Sequence, residues 1–390
     1  MIDNNQIPET PKSLINRALL FVPGIYLVLL LSAIITVISG IAIVAFIYYA
    51  SNQVGWMPTG IMLAIILGVL VGIFSVIKAI ISTIWKRTSF TPAILISESD
   101  EKGAFAFIAE ICKSMGTKAP DQIIIHAEPV FYVSQGKIET LNGKGKGRIL
   151  AIGAPLMEFL SINELRAILA HEFAHFTGND TKYSAFVLPV YIGAITAVQE
   201  MESVIASRKE GINSYMAAIP LYIPCQMLVG YLNSFHKINM QISRSRETRA
   251  DYMACMVCGT ENFVSGLMKV ASIGSAFYEL SKYHILRALQ EKKVFINYYR
   301  AFEDAISENR GILSEYEKKN LLEKESANDS HPALGKRINE LPNMPIKYDD
   351  DKPAVSLFNK VPEYEEKLTD MYTKIVKTRN DYEVAHANYR

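Results

Sequence analysis

Residues 170–180 read AHEFAHFTGND. His171 and His175 stand four apart, with Glu172 between them, inside an otherwise apolar run. Burying two imidazoles and a carboxylate costs free energy unless each finds a partner. Packing alone therefore gives no reason for them. The residues leading into this stretch predict a helix. Ser161 is a suitable N-cap, and Glu164, three residues later, completes a capping box. Leu165, Ile168, Leu169 and Phe173 supply an apolar face, and Gly178 stands where a helix commonly stops. Residues four apart share a helix face, so both imidazoles point the same way.

The pattern H-E-x-x-H has a physical logic. Two imidazoles on successive turns can converge on one zinc ion. A third protein ligand leaves the fourth position to water, which is the arrangement of a catalytic site. The ion lowers the pKa of that water toward about 7 and polarises a bound carbonyl. Glu172 then has the reach to take the water's proton and pass it to a leaving amine. The third ligand is sought in SRSRETRADYMA, residues 243–254. Glu247 is the candidate there. Asp251 lies on the same face one turn later, suited to accept the second ring N–H of a histidine. The competing reading is a solvated helix in which Arg244, Arg246 and Arg249 pair with the acids.

The surrounding chain is apolar. Half of its 390 residues are hydrophobic, and the mean hydropathy is +0.15. Forty basic residues face 39 acidic ones, a net charge of +1, which excludes the clustered basic surface of a nucleic-acid binder. From Ala18 to Ile77 there is no Asp, Glu, Lys, Arg or His. That is room for two membrane spans, read at about 24–50 and 59–83 and broken at SNQVGWMP, residues 51–58. Lys12 and Arg17 precede the first, Lys78, Lys86 and Arg87 follow the second, and the connection is uncharged. Both ends of the hairpin are therefore expected on the cytoplasmic side. Two later stretches, 183–199 and 211–235, are also uncharged. They form either a second membrane hairpin or a pair of buried or membrane-surface helices.

Beyond Arg87 the pattern is that of a soluble domain. Residues 101–115 read as an amphipathic helix, and 121–126, 130–133 and 148–152 as strands. Residues 136–147 (GKIETLNGKGKG) read as a turn-rich connection, and 362–390 as a charged terminal helix, a solvated or partner-binding appendage. Four cysteines show no disulfide framework. Cys255 and Cys258 form a C-x-x-C in an apolar helical run and are read as structural. The expected organisation is a tail (1–17), a transmembrane hairpin (18–85), a catalytic domain (88–345), and a linker with the terminal helix (346–390). The expected fold is α+β and predominantly helical, with a small sheet beside the motif helix.

HEFAHFTGND, SRSRETRAD and SHPALGKRI (residues 330–338) occur in that order. Together they resemble the three motifs of the membrane zinc endopeptidases typified by the heat-shock protease HtpX and the CAAX prenyl proteases. The likeness runs from the first span to about residue 342. It implies a zincin-type domain with one zinc ion held by His171, His175 and Glu247, and Glu172 as the base. It places Asp251, Asp180 and Arg337 in supporting positions and gives His331 a role in holding substrate or the oxyanion. It also implies a protein or peptide substrate at the bilayer, in the inner membrane of a bacterium, and quality control as the role. A CAAX-type processing protease and a non-proteolytic membrane scaffold with a structural or vestigial zinc site are the rivals. The family's N-A-F-like edge-strand segment is replaced here by PVFYVSQG, residues 129–136, which bears on substrate choice and not on the metal site.

Overall fold

The computed structural model describes residues 7–84, 89–177, 180–206, 211–309, 311–323 and 332–387. In chain order the elements are α1 (Lys12–Val54), α2 (Thr59–Ile84), β1 (Ser89–Phe90), β2 (Ala93–Ile96), α3 (Lys102–Ser114), β3 (Gln122–His126), β4 (Phe131–Thr140) and β5 (Gly143–Gly153). There follow α4 (Ile162–Ala174), α5 (Asp180–Ala206), α6 (Ile212–Cys258), α7 (Thr260–Gln290), α8 (Tyr298–Glu308), α9 (Gly311–Leu322), α10 (Leu334–Asn339) and α11 (Val361–Ala387). The architecture is α+β and mostly helical.

The chain divides into two units. One comprises Thr10–Arg87 and Asn179–Ser243, the other Thr88–Gly178 and Arg244–Arg390 together with the residues before Thr10. The division differs from the linear one expected from composition. The segment between Asn179 and Ser243 groups with the N-terminal helices instead of the catalytic domain, because its apolar faces find their partners there.

In the first unit, α1 and α2 are long because no charged residue interrupts the chain from Ala18 to Ile77, and α1 closes at Gly55, whose φ of +76° favours glycine. Among the described residues, three helices are long and apolar enough to cross a membrane: α1, Thr59–Lys78 of α2, and α6. This is the composition of a membrane protein. Close helix packing relies on small residues. A Cβ on Gly68 would lie 2.1 Å from the Ala217 carbonyl oxygen, and one on Gly72 would meet Leu221 and Thr36. Ile25, Leu29, Val190, Ala194, Cys225 and Leu228 are buried together in this packing. Leu20, Ile38, Ile41 and Phe46 face outward.

The second unit is built on a five-stranded mixed sheet of order β1-β4-β5-β3-β2. β3 and β5 are parallel, while β4 and β5 are antiparallel from Phe131↔Ile152 to Thr140↔Gly143. The glycine- and lysine-rich segment 136–147 is thus not a loop. It is the tip of a long hairpin turning only at Leu141 and Asn142, and Asn142 bonds both the N–H and the carbonyl of Leu95 on β2. Glycines there hid the strand, although the ladder and the buried Ile138 hold it against Ala93, Ile124 and Ile149.

The C-terminal helix corrects a second expectation. It is no appendage: Tyr364, Leu368, Tyr372 and Val376 are buried in the main core. The Glu101 carboxylate accepts the Asn359 N–H at 2.6 Å, the Lys360 N–H at 3.0 Å and the Tyr364 hydroxyl at 2.9 Å. A carboxylate at a helix N-terminus complements both the open N–H groups and the helix dipole. The abundant charge of α11 lies on its other faces, so composition masked one apolar stripe.

Candidate metal centre

The motif helix α4 begins as expected. The Glu164 N–H bonds the Ser161 hydroxyl at 3.2 Å, and the Glu164 carboxylate returns to the Ser161 N–H at 2.7 Å. That carboxylate also takes Lys269 at 2.7 Å and Ser265 at 2.5 Å, which ties α4 to α7. Residues Ile162 to His171 are buried throughout. The helix ends at Ala174 with His175 as its C-cap, still in helical conformation and one turn short of Gly178. Gly178 itself lies outside the described residues.

Glu247 arrives from α6. Its Oε2 lies 3.5 Å from His171 Nε2 and its Oε1 3.5 Å from His175 Nε2. Ligand atoms of His171, His175 and Glu247 all lie within 4.8 Å of one another. Zinc bonds of about 2.0–2.1 Å in a tetrahedron put neighbouring ligand atoms roughly 3.3–3.4 Å apart. The two imidazole–carboxylate distances fall close to that edge, and two nitrogens with one carboxylate oxygen form a donor set that suits zinc. The three residues fit a divalent ion. Among the described residues, no other three histidine, cysteine or acidic side chains converge so closely.

Asp251 lies behind His171, its Oδ1 2.9 Å from His171 Nδ1. A carboxylate there fixes the tautomer and leaves Nε2 to the metal. Asp251 is itself held by Arg337 of α10 in a fork: Nε donates to Oδ2 at 3.0 Å and a terminal N–H to Oδ1 at 2.6 Å. Only Arg, with its planar pair of donors, matches a carboxylate in this way. Arg337 also comes within 3.6 Å of Glu247 Oε2.

These groups polarise one another. Burial pushes His171 down, but its hydrogen bonds to Asp251 and Glu247 outweigh this and raise its pKa to about 10. Burial pushes Asp251 up, yet His171 and Arg337 hold it below the usual carboxylate range. Arg337 is lowered by burial and raised by more through Asp251, Glu247 and Glu172, so it stays a cation. Metal binding at these residues would require His171 to give up a proton.

Glu172 is half-buried next to His171, and its charge reaches Arg337. Asp180 opens α5, but its side chain is not among those described. His331 lies outside the described residues, so the part expected of it has no structural counterpart here. Two contacts were not foreseen. Phe263 of α7 stacks on His171, with centroids 5.8 Å apart and planes at 18°. Arg249, read as a partner for neighbouring acids, also bonds Thr177. Neither leaves a local signal, since both depend on α6 and α7 being brought to α4. Cys255 and Cys258 are buried, and burial raises both thiols to about 12, as structural cysteines require.

Among known proteins, the chain is similar to Protease HtpX of Buchnera aphidicola, 27% identical over 184 residues, covering 45% of this chain and 60% of that one. Protease HtpX of Pasteurella multocida is 26% identical over 152 residues, covering 39% and 50%. A Protease HtpX homolog of Neisseria meningitidis is 24% identical over 200 residues, covering 50% and 68%. The chain thus matches 60% and 50% of the length of the first two. Among solved structures, S. mikatae Ste24p is 14% identical with a TM-score of 0.33, covering 80% of this chain and 66% of that one. The family model of peptidase family M48 matches residues 112–344, which include His171, His175, Glu247, Asp251 and Arg337. That match takes in more than half of the sequence, and the chain belongs to peptidase family M48.

Proposed function

We propose that this protein is a zinc-dependent endopeptidase that hydrolyses peptide bonds of membrane or membrane-associated proteins. The observation that carries the reading is the convergence of His171, His175 and Glu247 ligand atoms within 4.8 Å on two helices far apart in sequence. Membership of a peptidase family and three helices apolar enough to span a bilayer support it. His171, His175 and Glu247 would hold the ion. When bound, zinc would supply a Lewis acid and an acidified water. Glu172 would serve as the base that takes up a proton and as the acid that returns it to the leaving nitrogen. Asp251 keeps His171 in its metal-binding tautomer, and Arg337 keeps Asp251 charged and oriented. His331 and Asp180 are assigned supporting parts on the motif match alone. The lysine and arginine distribution favours a cytoplasmic active site, in the bacterial inner membrane. Removal of damaged membrane proteins is the role that the HtpX likeness suggests.

The test is metal analysis with casein cleavage by the full-length protein in detergent, for wild type and Glu172→Gln. The reading requires one zinc per chain in both forms and cleavage in the wild type alone. Equal cleavage by both, or none by zinc-loaded wild type, would end it.

A further inference from the structure

Arg249 is two residues from Glu247 and two from Asp251. On an α-helix, residues four apart share a face and residues two apart point to opposite sides. Glu247 and Asp251 therefore form one face of α6, turned to His171 and His175. Arg249 and Met253 form the other. On that second face the Arg249 guanidinium bonds both the carbonyl oxygen of Thr177 and, at 3.0 Å, its hydroxyl. Met253 Sδ lies 3.4 Å from the same hydroxyl. Thr177 is also the lock on the end of α4: its N–H reaches the Ala174 carbonyl at 3.0 Å and its hydroxyl donates there at 2.8 Å. His175 is two residues away. The end of α4 thus meets α6 from two sides, with the imidazoles against one face and Thr177 against the other.

From this we infer that Arg249 is a positioning residue for the metal centre, fixing the spacing of His175 and Glu247 through Thr177. A guanidinium is suited to the task. Its planar fork engages two acceptors at once, and a cation at a helix C-terminus complements the dipole and the open carbonyls there. Without the clamp, the last turn of α4 is free to fray. Fraying begins at the terminal residue, which here is a ligand. A ligand off its place by a fraction of an ångström weakens the ion's hold, as loss of supporting partners does in other metal sites.

The inference rests on the metal centre described under Proposed function, and it is tested on metal binding instead of cleavage. Full-length wild type, Arg249→Ala, Arg249→Lys, Thr177→Val and the Arg249→Ala/Thr177→Val double variant are titrated with zinc against a chelator. Their cobalt(II) visible spectra and their thermal midpoints without metal are also recorded. Arg249→Ala should weaken zinc binding about tenfold or more and alter the cobalt spectrum, while the metal-free midpoint moves little. Arg249→Lys, with one compact donor group, should recover part of the affinity. Thr177→Val should show a smaller loss, and the losses should not multiply in the double variant, because the Arg249–Thr177 contact is common to both. Wild-type affinity and spectrum in Arg249→Ala would overturn the inference, as would losses that multiply in the double variant. If Arg249→Ala does not accumulate, Thr177→Val decides: unchanged zinc affinity there overturns it. A wild type that binds zinc without cleaving anything sinks the peptidase reading and leaves this inference standing. A cleaving wild type with an indifferent Arg249→Ala does the reverse.

Discussion

In the apolar unit, serine and threonine hydroxyls mostly bond back to carbonyls of their own helix, while Tyr231 reaches the Phe21 carbonyl at 3.1 Å and Ser32 the Pro224 carbonyl at 3.4 Å. Thr36 donates to Ser32 at 2.7 Å, Ser51 to Ile47 at 2.6 Å and Ser75 to Val71 at 2.9 Å. In the other unit, His171, Glu247, Asp251 and Arg337 come from three helices and satisfy one another across as many as 86 residues of chain. The first arrangement serves a helix that a bilayer surrounds, where each segment must settle its own polarity. The second assembles charge that no single helix could hold. Lys78 and Glu200 form a tertiary ion pair within the apolar unit, joining α2 to α5. Local closure yields an anchor that tolerates change, whereas distant closure yields a site that fails when one member is lost.

The sharpest way to break the contrast is at the ligands. Glu247→Gln should lower zinc affinity by about a thousandfold, because a three-ligand site becomes a two-ligand one. Glu172→Gln should keep the metal and lower turnover about a hundredfold or more. Metal content after dialysis, read beside casein cleavage, separates the two, and equal metal retention in both variants would remove Glu247 from the ligand set.

One step back from the ion, Asp251→Asn should cost about ten- to a hundredfold in zinc affinity, since the amide can present the wrong group to His171 Nδ1 and no longer attracts Arg337. Chelator competition measures this. An affinity within twofold of wild type would show that His171 needs no orienting carboxylate.

The apolar unit gives the next effect. Lys78→Met leaves Glu200 without its partner among apolar helices and should cost about 2 kcal/mol, less than for a fully buried pair because both side chains remain partly exposed. Lys78→Met/Glu200→Leu should recover most of it. Thermal unfolding in one detergent compares them, and a double variant no more stable than the single one would show that the pair is not a unit.

The smallest effect sharpens the comparison by pH. Glu365 of α11 is buried beside Glu158 and Glu303, and burial first, then those charges, raise its pKa to about 7 despite a hydrogen bond from Asn297. A carboxyl whose folded pKa lies above its unfolded value supports the fold at low pH and loses that support as pH rises through the folded value. The wild-type unfolding free energy should therefore fall, relative to Glu365→Gln, between about pH 4.5 and 7, by an amount on the order of 1–2 kcal/mol, read as a falling thermal midpoint. Parallel pH curves for the two proteins would refute a buried neutral Glu365.

Much of the site could be read from the chain because its signals are local. The capping box at Ser161 and Glu164, the one-turn spacing of His171 and His175, and that of Glu247 and Asp251 are properties of single helices. The strands at 122–126 and 143–153 were partly legible from their isoleucines, but the hairpin between was not. Its glycines look like a turn until the ladder with the neighbouring strand is seen. α11 was misread because five buried hydrophobic residues among many charges carry little weight in composition.

The sequence by itself determined that two helices would each present a pair of polar side chains on one face, and that long uncharged segments would form apolar helices. Periodicity and hydropathy act within a few residues, and the chain displays both. Only the tertiary structure decided that the two polar faces meet at 3.5 Å, that Arg337 grips Asp251, and that Arg249 holds Thr177. Those partners are chosen by how α4, α6 and α10 pack, and packing is a property of surfaces formed only after the helices exist.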